Sequence, residues 1–213
     1  FAFKQAQRRT PTDTGLGSLS APRPDGKPGF NTPTGKFEIA STILEEYGYD
    51  ALPVYTEPQE GPLSMPEAAQ DYPLIFNSGS RVTTDFRSQH HGVESLCTER
   101  PEPTVTINVL DADKRGIQDG EEVKLRTSRG SVRIRAHVTD SIMEGTIDAN
   151  MGGGGPVGPE AWQRCNINDL TDLRRYDPIS GFPVYKALLC DIVKVSGRSE
   201  MVRIDSGEYS VSK

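Results

Sequence analysis

The sequence predicts a mainly β domain, either a small barrel or a sandwich, whose strands are joined by short helices. Short segments in which apolar and polar residues alternate recur along the chain and outnumber the helical segments between them. Glycine and proline contribute 21 and 16 residues, so turns and loops must be abundant. The 213 residues are enough for one domain with its own core, with or without extensions.

The chain is acidic, with a formal net charge of −6. It therefore lacks the basic surface of a general nucleic-acid binder, and we expect no nucleic-acid partner. A local phosphate site stays open, because a few backbone N–H groups can hold one phosphate. No stretch approaches the roughly 18 apolar residues of a membrane helix, so no membrane span is predicted.

The three cysteines, Cys97, Cys165 and Cys190, lie far apart in the sequence and form no Cys-x-x-Cys pair. We therefore expect no zinc or iron–sulfur site carried by this chain alone. The simplest interpretation is that all three are buried, unreactive thiols.

Composition divides the chain into three parts. Residues 1–35 are rich in Pro, Gly and Ser, which predicts an extended arm or linker. Residues 36–196 hold the alternating segments and form the predicted β domain, and residues 197–213 are polar and predict a mobile tail. The first residue is Phe, from which we expect a fragment or a processed chain, so the cellular compartment stays open.

The first elements of the β domain are short. Residues 36–41 alternate in polarity and predict a strand, and residues 41–49 predict a helix that Ser41 or Thr42 caps and Gly48 ends. Residues 73–76 predict a buried strand, followed by a turn at 77–80.

A β-hairpin over residues 121–138 is the clearest element of the sequence. Strict alternation on both sides of the turn at 128–130 predicts its two strands. The arginines of residues 126–135 are interpreted as the solvated face of this hairpin. Before it, residues 103–109 predict a strand and 110–117 a short helix, which Asp111 is expected to cap and Gly116 to end. After it come a predicted strand at 145–151, a glycine-rich loop at 152–160, a brief helical piece at 167–173 and a final strand within 185–196.

Four phrases, in this order, resemble a known family. They are TPTGKFEIAS at 32–41, YPLIFNSGSR at 72–81, the stretch from strand to hairpin at 104–147, and CNINDLTDLRRYDPISGFPVYKALLCDIVKV at 165–195. Together they are similar to the molydopterin dinucleotide-binding domain, the C-terminal domain of molybdopterin oxidoreductases of the dimethyl-sulfoxide-reductase superfamily. The nearest subgroup includes thiosulfate and polysulfide reductases, acetylene hydratase and related hydroxylating or dehydroxylating enzymes. The resemblance implies a six-stranded double-psi β-barrel.

The resemblance also implies a function. This chain would hold a bis(molybdopterin guanine dinucleotide) cofactor carrying molybdenum or tungsten, and it would be inactive alone. The metal ligand and any iron–sulfur cluster would belong to the rest of the parent enzyme, so no catalytic residue is assigned here. The expected partners are the remaining domains of the catalytic subunit and an iron–sulfur electron-transfer subunit.

The candidate cofactor contacts are polar or glycine residues in loops. From residue type alone, Ser78 to Arg81 could cradle a phosphate, since a glycine turn exposes backbone N–H groups and arginine grips anionic oxygens. Metal ligation by the adjacent His90 and His91 is rejected, because metal sites need several converging ligands. With the resemblance added, the predicted contacts are Ser78, Gly79, Arg81, Ser88, Gln89, His90, His91, Asp111, Asn166, Asn168, Tyr185 and Lys186.

Each of these residues also has an ordinary structural interpretation. Asp111 either only caps its helix or accepts hydrogen bonds from a guanine edge, and Asn166 and Asn168 either cap turns or meet a guanine or pterin edge. Lys186 either is solvated or neutralises a pyrophosphate. We expect Arg81, Asn166, Asn168 and Lys186 to converge on one pocket if the family interpretation holds.

Two other functions stay open at this stage. The chain could be a non-catalytic interaction module built on the same barrel. It could also be a pyruvoyl-type decarboxylase that cleaves itself at Gly79-Ser80 or Gly130-Ser131, although both sites look like plain turns.

Overall fold

The computed structural model describes residues 25–26, 29–82 and 88–195, in two compact units. Most of the predicted arm and all of the C-terminal region after residue 195 lie outside the described residues, so the predictions of an arm and of a tail at 197–213 stay open. The smaller unit contains the described residues up to Glu57 together with residues 178–181, and it holds helix α1 (Thr42–Glu46). The cap is Ser41, whose side chain accepts a hydrogen bond from the Leu44 N–H, as the sequence predicts.

The larger unit contains the remaining described residues and is built around a closed barrel. Its strands, in chain order, are β1 (Leu74–Ser80), β2 (Thr104–Asn108), β3 (Glu122–Arg126), β4 (Ser131–Thr139), β5 (Thr146–Asn150) and β6 (Leu188–Lys194). Its short helices are α2 (Ala68–Asp71), α3 (Glu94–Cys97), α4 (Val109–Arg115), α5 (Glu160–Arg164) and a 3₁₀ helix at Ile167–Leu170. The mainly β prediction is therefore confirmed, in its barrel form.

The strands close in the order β1-β5-β2-β4-β3-β6. Two pairs, β1 with β5 and β2 with β4, are parallel, and the other four pairs are antiparallel. Alternate residues of each strand point inward, so the interior fills with apolar side chains such as Phe76, Ile107, Leu125 and Ile192, all fully buried.

The pairing fixes which connections share an end of the barrel. Strands β1, β3 and β5 finish at one end, where β2, β4 and β6 begin, and we call it the loop end. The connections at the loop end are residues 81–103, 127–130 and 151–187. The opposite end, which we call the helix end, carries the connections 109–121, with α4, and 140–145.

Strand β1 corrects the predicted turn at 77–80, since these residues continue the strand. The register against β5 shifts between Ser78 and Ser80, which makes Gly79 the extra residue of a β-bulge. Gly79 has a φ of 111°, a conformation that side chains disfavour, and this explains both the glycine and the turn-like sequence.

Helix α4 has a different cap from the one expected. Asn108 is the N-cap, and its side-chain oxygen accepts a 2.8 Å hydrogen bond from the Leu110 N–H. Asp111 lies inside the first turn instead, with its side chain buried. Gly116 ends the helix in the left-handed region, as predicted.

The predicted strand at 36–41 is wrong, because these residues form bends and irregular chain rather than a strand. Phe37 and Ile39, whose alternation suggested the strand, are 68% and 80% exposed. Alternation produces a strand only where one face becomes buried and a neighbouring strand offers hydrogen bonds, and neither condition is met here.

The hairpin is confirmed, with strands β3 and β4 joined through a Thr127 N–H to Gly130 carbonyl hydrogen bond of 2.9 Å. The interpretation of its arginines as solvated is wrong for Arg129, whose side chain is only 9% exposed. Of the cysteines, Cys165 and Cys190 are buried and Cys97 is half-buried. Burial raises the pKa of the Cys165 thiol to about 12 and that of the Cys190 thiol well above its usual value, so both are unreactive.

Candidate functional site at the loop end of the barrel

The loop end collects nearly all the predicted cofactor contacts. Ser78 and Gly79 lie in the last part of β1, and Arg81 follows it. The other predicted contacts, except Asp111, lie in the two long loop-end connections, 81–103 and 151–187. Barrel topology therefore brings together segments that are more than 100 positions apart in the sequence.

The end of β1 is tied to the segment that precedes β6. The Ser78 hydroxyl donates a 2.7 Å hydrogen bond to the Tyr185 carbonyl, and the Asn77 side-chain oxygen accepts one of 3.2 Å from the Ala187 N–H. Ala187 has a φ of 56°, which is strained for a residue with a side chain. Lys186, between these two anchors, is exposed. The end of β1 and the segment that carries Lys186 are thus joined by two hydrogen bonds.

The glycine-rich loop is closely packed rather than free. Gly153 lies against the backbone of Cys165, and Gly154 lies against Asn166, where an added Cβ would come within 2.5 Å of the Asn166 Cβ. The Gly153 N–H also donates a 2.9 Å hydrogen bond to the Ser88 hydroxyl oxygen. Ser88 and Asn166, both predicted contacts, are therefore neighbours of one loop.

Asn166 has the capping role that its residue type allows. Its side-chain oxygen accepts a 3.2 Å hydrogen bond from the Asn168 N–H, and its amide donates one of 2.8 Å to Asp169. Asn168 is exposed, so its amide group is presented to solvent beside the glycine-rich loop. Of this pair, Asn168 is better placed to meet a ligand.

His91 forms part of an aromatic contact below the loops. Its ring lies 4.5 Å from that of Trp162, and the Trp162 indole N–H donates a 2.9 Å hydrogen bond to the Arg100 carbonyl. His91 is buried, whereas Gln89 is exposed. Gly158 packs on His91, where an added Cβ would come within 2.6 Å of the His91 Cβ. This packing supports a structural role for His91 and leaves Gln89 as the more accessible predicted contact.

A buried ion-pair network holds the loop end together. Arg129, in the hairpin turn, donates to both carboxylate oxygens of Glu60 and, through Nε, a 2.7 Å hydrogen bond to Asp172. Glu60 also accepts a 2.9 Å hydrogen bond from the Leu189 N–H. The hydrogen bond from Arg129 is the largest cause that holds the pKa of the Asp172 carboxyl well below its usual range. Sequence reasoning missed this network, because its members are distant in the chain.

Asp111 is the predicted contact that lies apart from the others. It belongs to α4 at the helix end, where its Oδ2 accepts a 2.6 Å hydrogen bond from the Gly145 N–H. Its Oδ1 lies 3.8 Å from Arg115 Nη1. The carboxylate is buried and engaged, so this position favours the structural interpretation of Asp111.

Asp148 is a polar residue of the barrel wall that the sequence did not single out. It pairs with Asn77 of β1 and with Thr106 of β2, and its Oδ1 is buried without a hydrogen-bond partner among the described residues. Burial raises the pKa of the Asp148 carboxyl, against the lowering effects of the Ser80 N–H, the Lys186 charge and the Ala149 N–H. Polar residues are common on the half-exposed face of a strand, so nothing in the local sequence distinguished Asp148 from them.

The described residues contain neither a metal-binding cluster nor a membrane-spanning helix. No three His, Cys, Asp or Glu side chains there lie close enough to bind a metal ion together. No helix within those ranges has the length and apolar character to cross a membrane.

Comparison with known protein families identifies the barrel. The sequence model of the molydopterin dinucleotide-binding domain matches residues 74–189, from the first residue of β1 to the start of β6. That match covers more than half of the chain and contains the loop-end connections.

Individual relatives agree with this match. Acetylene hydratase of Syntrophotalea acetylenica is 35% identical over 119 residues, which are 56% of this chain and 16% of that protein. Dopamine dehydroxylase of Eggerthella lenta is 34% identical over 179 residues, covering 81% of this chain and 18% of that protein. Dimethyl sulfoxide reductase DmsA of Escherichia coli K12 is 32% identical over 180 residues, covering 75% and 20% respectively.

A solved structure, acetylene hydratase from Pelobacter acetylenicus, superimposes with a TM-score of 0.71 at 28% identity. The match covers 84% of this chain and 26% of that one, so the chain spans between 16% and 26% of the length of these relatives. The chain belongs to the molydopterin dinucleotide-binding domain family, and its relatives are molybdoenzymes of the dimethyl sulfoxide reductase group.

Proposed function

We propose that this chain is the cofactor-binding domain of a larger molybdenum- or tungsten-dependent enzyme and holds bis(molybdopterin guanine dinucleotide). One observation carries the proposal: in a chain of this family, the predicted contacts other than Asp111 gather at the loop end of one barrel. When bound, such a cofactor supplies the reaction chemistry at its metal, while the protein supplies orientation and electrostatics.

The groups at the loop end fit a ligand of this kind. A pterin dinucleotide combines an anionic pyrophosphate with rings rich in N–H groups. The exposed Arg81 and Lys186 offer positive charge to the pyrophosphate, and the exposed Asn168 offers both a donor and an acceptor to a ring edge. The buried Asp148 Oδ1 lacks a donor in the described residues and suits an N–H of such a ring.

The chain's own residues would bind and orient rather than react. The bulge at Gly79 brings backbone groups close to a ligand without a side chain in between. The ties of Ser78 to Tyr185 and of Arg129 to Glu60 and Asp172 hold the surrounding loops in one arrangement before the ligand arrives. Such pre-organisation lowers the entropy that binding costs.

The proposal extends to the parent enzyme and to the barrel topology. The similarity to acetylene hydratase and dopamine dehydroxylase supports a hydratase- or dehydroxylase-like parent enzyme, whereas the thiosulfate or polysulfide reductase assignment stays a prediction. Two parallel pairs within an otherwise antiparallel barrel support the double-psi topology. The choice of metal, an iron–sulfur cluster elsewhere in the parent enzyme and an electron-transfer subunit remain predictions, as do the domain boundaries at residues 36 and 196.

The competing functions make different predictions. An interaction module would bind no guanine nucleotide. A pyruvoyl-type decarboxylase would cleave itself, but Gly79-Ser80 lies within a bulged barrel strand, and Gly130 of Gly130-Ser131 lies where a Cβ would come within 2.7 Å of the Asp169 carbonyl oxygen. Mass spectrometry of the chain would detect cleavage directly.

The test of the proposed function is the nucleotide and metal content of the full-length protein that contains this chain. Acid treatment releases GMP from the cofactor, and elemental analysis measures the metal. We expect about two GMP and one molybdenum or tungsten per molecule. Protein that carries neither GMP nor metal, although folded and produced in a host that makes the cofactor, would overturn the proposal.

A further inference from the structure

We propose that the Asp148 carboxylate is a further ligand contact, which accepts the paired N–H groups of a 2-amino-4-oxopyrimidine ring. This inference rests on the proposed function, because guanine and pterin, the two ring systems of the cofactor, both contain that ring. It transfers to Asp148 the base-recognition role that the sequence alone suggested for Asp111.

The first step of the argument is the unused oxygen. The Asp148 Oδ1 atom is enclosed by protein and has no hydrogen-bond partner among the described residues. Buried polar atoms almost always have a partner, so an exception in the wall of a small barrel calls for a donor from outside the described chain. Asp111, by contrast, already binds the Gly145 N–H and lies at the other end of the barrel.

The second step is location. Asp148 pairs with Asn77, one residue before Ser78 and two before the Gly79 bulge. The Asn77 side-chain oxygen is already occupied by the Ala187 N–H, and Lys186 is close enough for its charge to act on Asp148. The unused oxygen therefore belongs to a side chain that lies opposite Asn77 and within reach of the charge of Lys186, a predicted cofactor contact.

The third step is the chemical class of the donor. An ionised carboxylate is an acceptor only and can receive two parallel N–H bonds. The N–H and exocyclic amino group of a 2-amino-4-oxopyrimidine present two such donors side by side. The strained Ala187, whose N–H binds the Asn77 side chain opposite Asp148, lies in a backbone conformation that recurs where proteins clamp ligands. An ordered water or an arginine from elsewhere in the protein could also satisfy the oxygen, and the experiment separates these cases.

The experiment measures ring discrimination by the full 213-residue chain. Two ligand pairs differ at the carbon that bears the amino group. GDP against IDP, in which hydrogen replaces the amino group, tests the guanine end, and 6-hydroxymethylpterin against 6-hydroxymethyllumazine, in which an oxo group replaces it, tests the pterin end. We expect the wild-type chain to prefer the amino-bearing ligand about tenfold or more in one pair, which tells which ring Asp148 meets. The Asp148→Asn variant, which replaces one acceptor oxygen with a donor, should lose that preference.

The matched control is Asp113→Asn, an exposed aspartate of α4 at the helix end, which should keep the wild-type preference. Circular dichroism checks the fold of each variant, and Asp148→Ser serves if the Asn variant fails to fold. Equal discrimination by wild type and the Asp148 variants, or no discrimination by the wild type in either pair, would overturn the inference. Either result would point to water or to another part of the protein as the partner of Oδ1.

A second measurement distinguishes this inference from the proposed function. Full-length protein carrying Asp148→Asn should retain fewer GMP per molecule after gel filtration than the Asp113→Asn protein. Full GMP content in both variant proteins would contradict the assignment of Asp148 but not the proposed function. An absence of GMP from the wild-type full-length protein would sink the proposed function as well.

Discussion

Gly153 lies so close to Cys165 that a Cβ on the glycine would come within 1.8 Å of the Cys165 carbonyl oxygen. Gly153 also has a φ of 87°, which side chains disfavour. The obstacle is backbone and cannot rotate away. Consequently, the glycine-rich loop is a packed part of the loop end rather than a flexible connection.

We therefore expect Gly153→Ala to lower the free energy of unfolding of the chain by at least about 3 kcal/mol, through strain and overlap together. Gly155 is the matched control, since a Cβ there meets nothing within 4 Å. Gly155→Ala should leave the stability within about 0.5 kcal/mol of the wild type. Urea unfolding measures both, and equal stability of the two variants would show that the loop is not packed in this way.

The Arg129–Glu60 pair should be the most sensitive ion pair of the barrel. Both side chains are almost fully buried, at 9% and 5% exposure, so Arg129→Met leaves the buried Glu60 carboxylate with Arg175, whose Nη1 is 3.3 Å away, as its remaining charged partner. The expected loss of unfolding free energy is about 3–5 kcal/mol. Arg133→Met breaks the exposed pair with Glu122 and should cost no more than about 1 kcal/mol. Denaturant curves that show similar losses for the two variants would contradict the buried network.

Asp172 should contribute to acid sensitivity through Arg129. The pKa of Asp172 is lowered in the folded state, so its contribution to stability is full above the unfolded-state value of about 4 and is lost as the pH falls below it. Unfolding free energies measured between pH 5.5 and pH 3 should fall less steeply for Asp172→Asn than for the wild type. Arg129→Met, which removes the largest cause of the lowered pKa, should reduce the slope in the same direction. Unchanged slopes in both variants would refute the coupling.

The Asp148 carboxylate should lower the stability of the ligand-free chain, although we propose that it binds the ligand. Its pKa is raised in the folded state, so the ionised carboxylate disfavours folding, and this penalty grows as the pH rises through the folded-state pKa. We expect Asp148→Asn to raise the melting temperature of the ligand-free chain at pH 7 by a few degrees, with a smaller rise at pH 4. A lower melting temperature at pH 7 would mean that the carboxylate is stabilising and that the burial argument is wrong.

The sequence predicted the elements whose signal is local. The β3–β4 hairpin, the Gly116 helix end and the Ser41 cap follow from alternation, turn residues and capping residues within a few positions. The turn predicted at 77–80 was wrong because a bulge at Gly79 and a turn have the same local composition. The strand predicted at 36–41 was wrong because alternation of polarity does not show whether a partner strand exists.

The candidate site was predictable only in part, for the same reason. Family phrases located Arg81, Asn168 and Lys186 in loops, and closure of the barrel placed those loops at one end. No local pattern could show that Asp111 would bind the Gly145 N–H at the other end. Nor could it show the buried role of Arg129, which depends on partners 43 and 69 positions away.

The central claim is that the loop end, and not the helix end, holds the dinucleotide. It is tested most directly by the GMP content of full-length protein carrying Arg81→Ala and Lys186→Ala, against the exposed helix-end lysine variant Lys114→Ala. The claim predicts that the loop-end double variant loses a large part of its GMP, while the Lys114→Ala protein retains the wild-type amount. Wild-type GMP in the loop-end double variant, or an equal loss in Lys114→Ala, would contradict it.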